Sequence, residues 1–139
     1  MIHDEIVTYE VAKLAKEKGF PQHIGNDAYV VENEYDDKYE VECHYPIQFI
    51  PDYLPTIAAP TQSLLQRWLR EEKGIVIDVV LDWQYNIEAE EIRYQYRIGC
   101  KHRMTIEDIQ TRGIVRDRYF ATYELALEDA ELYCLKNLL

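Results

Sequence analysis

Glycine is scarce in this chain: five copies among 139 residues, at positions 19, 25, 74, 99 and 113, none adjacent to another. That spacing excludes a glycine-rich phosphate cradle, and neither a Walker-type loop nor a dinucleotide fingerprint occurs. H-E-x-x-H, C-x-x-C and G-x-S-x-G are missing as well, which removes the usual signatures of zinc proteases, thiol redox proteins and serine hydrolases. No apolar run approaches the ~20 residues of a membrane span, so no membrane association is expected. The opening Met-Ile-His-Asp-Glu-Ile-Val has neither the basic stretch nor the apolar core of a secretory leader. Cysteine is limited to Cys43, Cys100 and Cys134. An odd number at wide spacing argues against a disulfide framework and for a reducing, cytoplasmic setting. Each falls in an expected strand or helix and reads as a buried free thiol.

Positive charge is the other shortage. Fifteen Lys and Arg stand against 26 Asp and Glu, for a net charge of −11. The imbalance is uneven: residues 1–60 hold twelve acidic and four basic side chains, whereas residues 92–118 hold three and seven. An acidic chain repels nucleic acid at long range, although a local basic face can still touch phosphate. Arg93, Arg97, Lys101 and Arg103 are the candidates for such a face. The simpler reading is that the basic strand neutralises acidic neighbours within the fold.

What is abundant is tyrosine, with 12 copies against three Phe and two Trp. Tyrosine suits half-buried strands, where the ring packs and the hydroxyl reaches water. Hydrophobic content of 47% and a length of 139 residues allow one ordinary globular domain with a real core.

The clearest folding signal lies between Ala58 and Tyr85. Thr61 and Gly74 bracket a helix that starts at Pro60 or Thr61 and ends at Lys73, with Leu64, Leu65, Trp68 and Leu69 as its apolar stripe. Trp68 is expected to be buried against a sheet. A strand follows at once, from Ile75 to Tyr85, in which Ile75, Ile77, Val79 and Leu81 alternate with Val76, Asp78, Val80 and Asp82. A second strand over residues 91–101 sets Ile92, Tyr94, Tyr96 and Ile98 on one side and Arg93, Gln95 and Arg97 on the other, giving an antiparallel pair. A first helix is expected over Tyr9–Lys18, capped by Thr8 and closed by Gly19, Phe20 and Pro21 in a Schellman arrangement. A last helix follows Thr122, with Tyr123, Ala126, Leu127, Ala130, Cys134 and Leu138 on one face and Leu125, Leu132, Leu135 and Leu139 broadening it.

Two segments read less regularly. Residues 28–45 suggest a hairpin turning at Asp36-Asp37, with Tyr39, Val41, Cys43 and Tyr45 alternating along its second strand. Its other face is acidic: Glu32, Glu34, Asp36, Asp37, Glu40 and Glu42. Residues 46–60 carry four of the five prolines together with Ile47, Phe49, Ile50, Tyr53, Leu54 and Ile57, so they read as a loop packed along the body, with a docking surface as the alternative. Residues 114–120 suggest a third strand after an ambiguous stretch at 102–113. Thr8-Tyr9-Glu10-Val11-Ala12 and Thr122-Tyr123-Glu124-Leu125-Ala126 echo one another because helix starts select a threonine cap and an early glutamate.

Chemistry is hard to assemble from these residues. Cys43-His44 and Cys100-Lys101-His102 pair thiols with imidazoles, but strand neighbours point to opposite faces and the spacings are not those of zinc sites. Asp78 and Asp82 share a strand face with Cα atoms roughly 13 Å apart, too far to act together on one bond. The sequence therefore offers no catalytic residue, metal or cofactor. The element order after Pro60 matches that of double-stranded RNA-binding domains. Here, however, the last helix opens Thr122-Tyr123-Glu124 where those domains carry a phosphate-gripping lysine cluster.

Three stretches carry a resemblance: K-E-K-G-F at 16–20, A-P-T-Q-S-L-L-Q-R-W-L-R-E at 59–71 and F-A-T-Y-E-L-A-L-E at 120–128. Through them the chain resembles a group of small proteins of gut anaerobes and their phages and prophages. The resemblance implies a cytoplasmic, phage-related accessory protein and transfers no catalytic residue. Together these readings give an α+β fold with helices packed on one face of an antiparallel sheet that includes residues 75–101. The expected function is a non-enzymatic protein-interaction protein with a protein partner, using the acidic surface of Glu32 to Glu42. The alternative is a nucleic-acid-associated protein using the basic strand, and a small enzyme comes third.

Overall fold

A computed structural model describes residues 4–31, 38–40, 42–81, 92–100 and 119–139. The elements run α1 (Tyr9–Glu17), β1 (Asp27–Val30), β2 (His44–Pro46), a short 3-10 turn (Ile47–Phe49), β3 (Thr56–Ala58), α2 (Gln62–Lys73), β4 (Ile75–Leu81), β5 (Tyr94–Cys100) and α3 (Tyr123–Asn137). Helices pack against two small antiparallel sheets, an α+β fold.

The three helices among the described residues all start on a threonine. Thr8, Thr61 and Thr122 each accept a hydrogen bond on Oγ1 from the amide three residues on, at 3.4, 3.2 and 3.1 Å. Each cap satisfies one of the amides that a helix start leaves without an internal partner. The sequence echo at residues 8 and 122 is therefore local capping physics. At the far end of α1, Gly19 takes φ 96° and Phe20 N donates to Ala15 O at 2.9 Å, the Schellman closure expected from Gly-Phe-Pro. Gly74 ends α2 in the left-handed region at φ 66°.

The closing turns position the core. Phe20 meets Trp68 edge to face, with ring centroids 5.3 Å apart, and the Lys73 ammonium covers the indole at 5.3 Å. Trp68 is buried, as the stripe predicted, and its ring contact is with Phe20 in the turn after α1 rather than with a strand. The main core continues through Val11, Ala15, Leu65, Leu69, Ile75, Ile77, Tyr96, Ile98, Leu127 and Leu135. In β4 and β5 the inward residues are Ile75 and Ile77 against Ile98 and Cys100, and the register sets Asp78 opposite Arg97 and Val80 opposite Gln95.

The sheet is split rather than continuous. Residues 75–100 form a two-stranded pair, while β2-β1-β3 form a separate three-stranded sheet. The strand β3 is a correction to the loop reading of 46–60: it pairs antiparallel with β1, setting Ala28, Tyr29 and Val30 opposite Ala58, Ile57 and Thr56. Pro55 and Pro60 bracket it without blocking it, since prolines are tolerated outside the ladder. The hairpin reading of 28–45 also contracts. β1 pairs with β2 only at residues 44–46. Ahead of β2 the amides turn locally: Glu40 N donates to Tyr45 Oη at 3.1 Å and Cys43 N to Glu40 O at 3.3 Å. The alternation of Tyr39, Cys43 and Tyr45 therefore builds a folded turn, with Tyr39 and Tyr45 edge to face at 5.1 Å. The expected turn at Asp36-Asp37 lies outside the described residues, as do Asp82 and most of the expected third strand. The last residue of that strand, Phe120, bridges Tyr94.

Beneath this smaller sheet lies a second core of Ala28, Val30, Tyr39, Ile50 and Leu54. Tyr29 turns the other way, into the main core, where its hydroxyl donates to Val7 O at 2.6 Å. Thus β1 is buried on both faces and divides the two cores.

Candidate interaction surfaces

The basic strand is partly located. Arg93 is half-buried and its guanidinium lies 4.6 Å from the centroid of the Tyr119 ring, a cation–π contact. Arg97 is exposed and faces Asp78 by register, without a direct ion contact between these two described residues. Lys101 and Arg103 lie outside the described residues. Arg97 thus lies on the open face of β5, while Arg93, just ahead of the strand, is held by an aromatic ring.

Of the acidic candidates, Glu40 and Glu42 are described and exposed, while Glu32, Glu34, Asp36 and Asp37 lie outside the described residues. Glu40 Oε2 accepts from Cys43 Sγ at 3.4 Å, and that hydrogen bond raises the thiol pKa above its ordinary value. Cys43 is exposed, which corrects the expectation that all three thiols are buried; Cys100 and Cys134 are buried, and all three are free. The cause is the turn at 40–45, which swings Cys43 off any ladder.

The proline-rich segment that follows these acids in the chain is packed in part and open in part. Ile50, Leu54 and Ile57 turn inward, but Ile47, Phe49 and Tyr53 are 43%, 65% and 73% exposed. The backbone that carries them is tied down. Ile47 N donates to Asn26 O at 2.9 Å, Ile50 N to Ile47 O at 3.0 Å and Leu54 N to Pro51 O at 3.1 Å. The Tyr39 hydroxyl donates to Phe49 O at 2.7 Å. The segment thus divides between the two readings that its sequence allows, with Ile50, Leu54 and Ile57 packed and Ile47, Phe49 and Tyr53 open. Nothing in composition separates Ile47 from Ile50, because the 3-10 turn decides which side faces the core.

Acids also gather where the helix starts meet. Glu128 on α3 accepts from Thr8 N at 2.8 Å through Oε1 and from Gln62 Nε2 at 3.0 Å through Oε2, joining the first turns of α1 and α2. Gln62 Nε2 also donates to Glu124 O at 2.9 Å. Carboxylates are favoured there by the positive ends of the helix dipoles. One turn on, Glu131 is 0% exposed and neither carboxyl oxygen has a hydrogen-bond partner. Burial raises its pKa well above the usual carboxylate value, and Glu128 and Asp4 push in the same direction. The sequence did carry this signal: Glu131 falls between Leu127, Cys134 and Leu135 on the apolar side of α3.

Shallow grooves flank α2, and two of them are the largest described along it. One, of about 640 Å³, is lined by Asp27, Ser63, Arg67 and Arg70; the other, of about 570 Å³, by Phe20, Ile24, Trp68 and Glu71. Arg67 is paired with Glu71 at 3.1 Å. Neither groove gathers an acid, a base and a nucleophile at reacting distance. Among the described residues no group of three His, Cys, Asp or Glu side chains is arranged to hold a metal ion, and no helix is long and apolar enough to cross a membrane. Compared with protein-family models, curated proteins and solved structures, the chain matches none.

Proposed function

We propose that this chain is a non-enzymatic interaction protein that binds another protein through the surface of residues 38–40 and 42–54. The observation that carries the reading is the exposure of Ile47, Phe49 and Tyr53 on a hydrogen-bonded backbone. Aromatic side chains held in place before binding are what protein interfaces use as anchors, because little ordering entropy remains to be lost. The resemblance of the motifs at 16–20, 59–71 and 120–128 adds a setting, an accessory protein acting on a host or phage macromolecule in the cytoplasm. Nucleic-acid binding through Arg93 and Arg97 is the lesser reading, because Arg93 already stacks on Tyr119.

A photo-crosslinking residue placed at position 49 tests the reading in the native cell. A discrete adduct sensitive to protease and resistant to nuclease is expected. A nuclease-sensitive adduct, or none at this position, would sink it.

A further inference from the structure

The charge carried by the chain on either side of the apolar anchors restricts what can sit on them. Glu40, Glu42 and Asp52 are exposed within the same stretch of chain, where Lys38 is the one lysine or arginine. Lys38 itself lies over the Tyr39 ring at 5.5 Å. A second copy of this chain is a poor occupant, since each copy carries −11 and the acids would face acids. Phosphate-bearing surfaces, nucleic acid or anionic lipid, are disfavoured on the same ground. A neutral apolar occupant would leave the rim carboxylates without counter-charge and partly stripped of water. Opposite charge removes both objections.

We infer that the surface made by Ile47, Phe49 and Tyr53 receives a cationic polypeptide segment, one in which Lys or Arg alternates with apolar side chains. The apolar groups of that segment cover Phe49 and Tyr53, and its cations face Glu40, Glu42 and Asp52. The rim charges speed encounter and make it salt-dependent, while the aromatic contacts set the residence time. This inference rests on the proposed protein-binding role and adds the chemistry of the partner.

Fluorescence anisotropy with three synthetic peptides of equal length tests it: one of Lys and Leu in amphipathic order, one with Glu in place of Lys, and an oligo-lysine. The Lys/Leu peptide is expected to bind at least tenfold more tightly than either of the others. The doubly substituted F49A/Y53A protein should lose at least tenfold in affinity for it. The E40Q/E42Q/D52N protein should also bind it more weakly, with a flatter dependence on salt. Both variants change exposed side chains, and an unaltered circular dichroism spectrum and melting temperature confirm the fold. Equal binding of oligo-lysine, equal binding of the Glu/Leu peptide, no binding of the Lys/Leu peptide, or an unaffected F49A/Y53A variant each overturns the inference. A crosslink from position 49 to a cellular protein that the Lys/Leu peptide does not displace leaves the binding role standing and removes only the partner chemistry.

Discussion

The two cores on either side of β1 are built by different rules. The main core is assembled from long elements whose apolar periods run unbroken: the stripe Leu65, Trp68, Leu69 on α2, the alternation Ile75, Ile77 on β4, and Leu127, Ala130, Cys134 on α3. The small core takes Ala28 and Val30 from a four-residue strand, Tyr39 from a turn, and Ile50 and Leu54 from the proline-rich segment. Each also breaks the usual sorting of residues in its own way. The main core encloses a carboxyl group without a partner, and the small core's covering segment leaves aromatic side chains outside. Polar groups inside and large apolar groups outside are the arrangements that call for a physical reason. Here the first bears on stability, and the second is the surface proposed for binding.

The main core should be the more sensitive. Trp68→Ala removes the buried ring of α2 and its contact with Phe20, and is expected to cost about 3–5 kcal/mol. Urea denaturation measures this directly. A loss below about 1 kcal/mol would mean that the neighbours relax around the missing ring and that the main core does not depend on it.

Leu54→Ala probes the small core, with an expected cost of about 2–5 kcal/mol at the lower part of that range, because the cluster is small and can collapse. The comparison sharpens under hydrogen exchange. The amides of Ile47 and Val31, which bond to Asn26 O and Pro55 O, should lose protection while those of α3 keep theirs. Uniform loss across both regions would show that the cores unfold as one unit.

Glu131 distinguishes the regions by pH. Its folded-state pKa is raised by burial, with Glu128 and Asp4 adding to the shift, while the unfolded value stays near 4.3. The stability it contributes is therefore fully present below the unfolded pKa. It is lost as pH rises through the window up to the raised folded value, where ionisation must occur in a buried site. Glu131→Leu is expected to stabilise the protein, with an advantage that grows with pH by up to about 1.4 kcal/mol per unit inside that window. Parallel melting curves for the two proteins between pH 4 and 9 would show that the carboxyl reaches water.

The contrast between the cores also explains what could be read from sequence. The helices and the β4–β5 pair were legible because capping residues and apolar periods agreed: Thr61 and Gly74 around α2, Thr8 and Gly19 around α1. The small sheet was not. Three-residue strands such as His44–Pro46 and Thr56–Ala58 are too short for a period to register, and their pairing with β1 is set by tertiary contact. The same limit left residues 46–60 open between packing and docking. The acids are visible as composition, but the exposure of Phe49 depends on which way the 3-10 turn rolls, and that of Tyr53 on the turn closed by Leu54 N and Pro51 O. A local turn also displaces Cys43. Its alternation with Tyr39 and Tyr45 was real, but the amides of Glu40 and Cys43 are satisfied within the turn.

The smallest expected effect lies on the open face of the β4–β5 pair. Asp78 and Arg97 are both exposed and directly opposite in the register. Opposite charges at facing positions of an antiparallel pair contribute about 0.2–1 kcal/mol, and exposure keeps this pair at the low end. Arg97→Asp places two carboxylates across the ladder and should lose an amount in that range. The exchanged double variant, Asp78→Arg with Arg97→Asp, should recover most of it, since facing positions are nearly symmetric. Both differences should shrink at high salt, where the attraction is screened within a few ångströms. If Arg97 instead serves an acidic partner or phosphate, the outcomes separate. Arg97→Asp then leaves the melting temperature unchanged and abolishes retention of that partner, and the exchanged variant does not restore it. A salt-independent loss in Arg97→Asp that the exchange fails to recover would show that the arginine is held by its stem rather than by its charge.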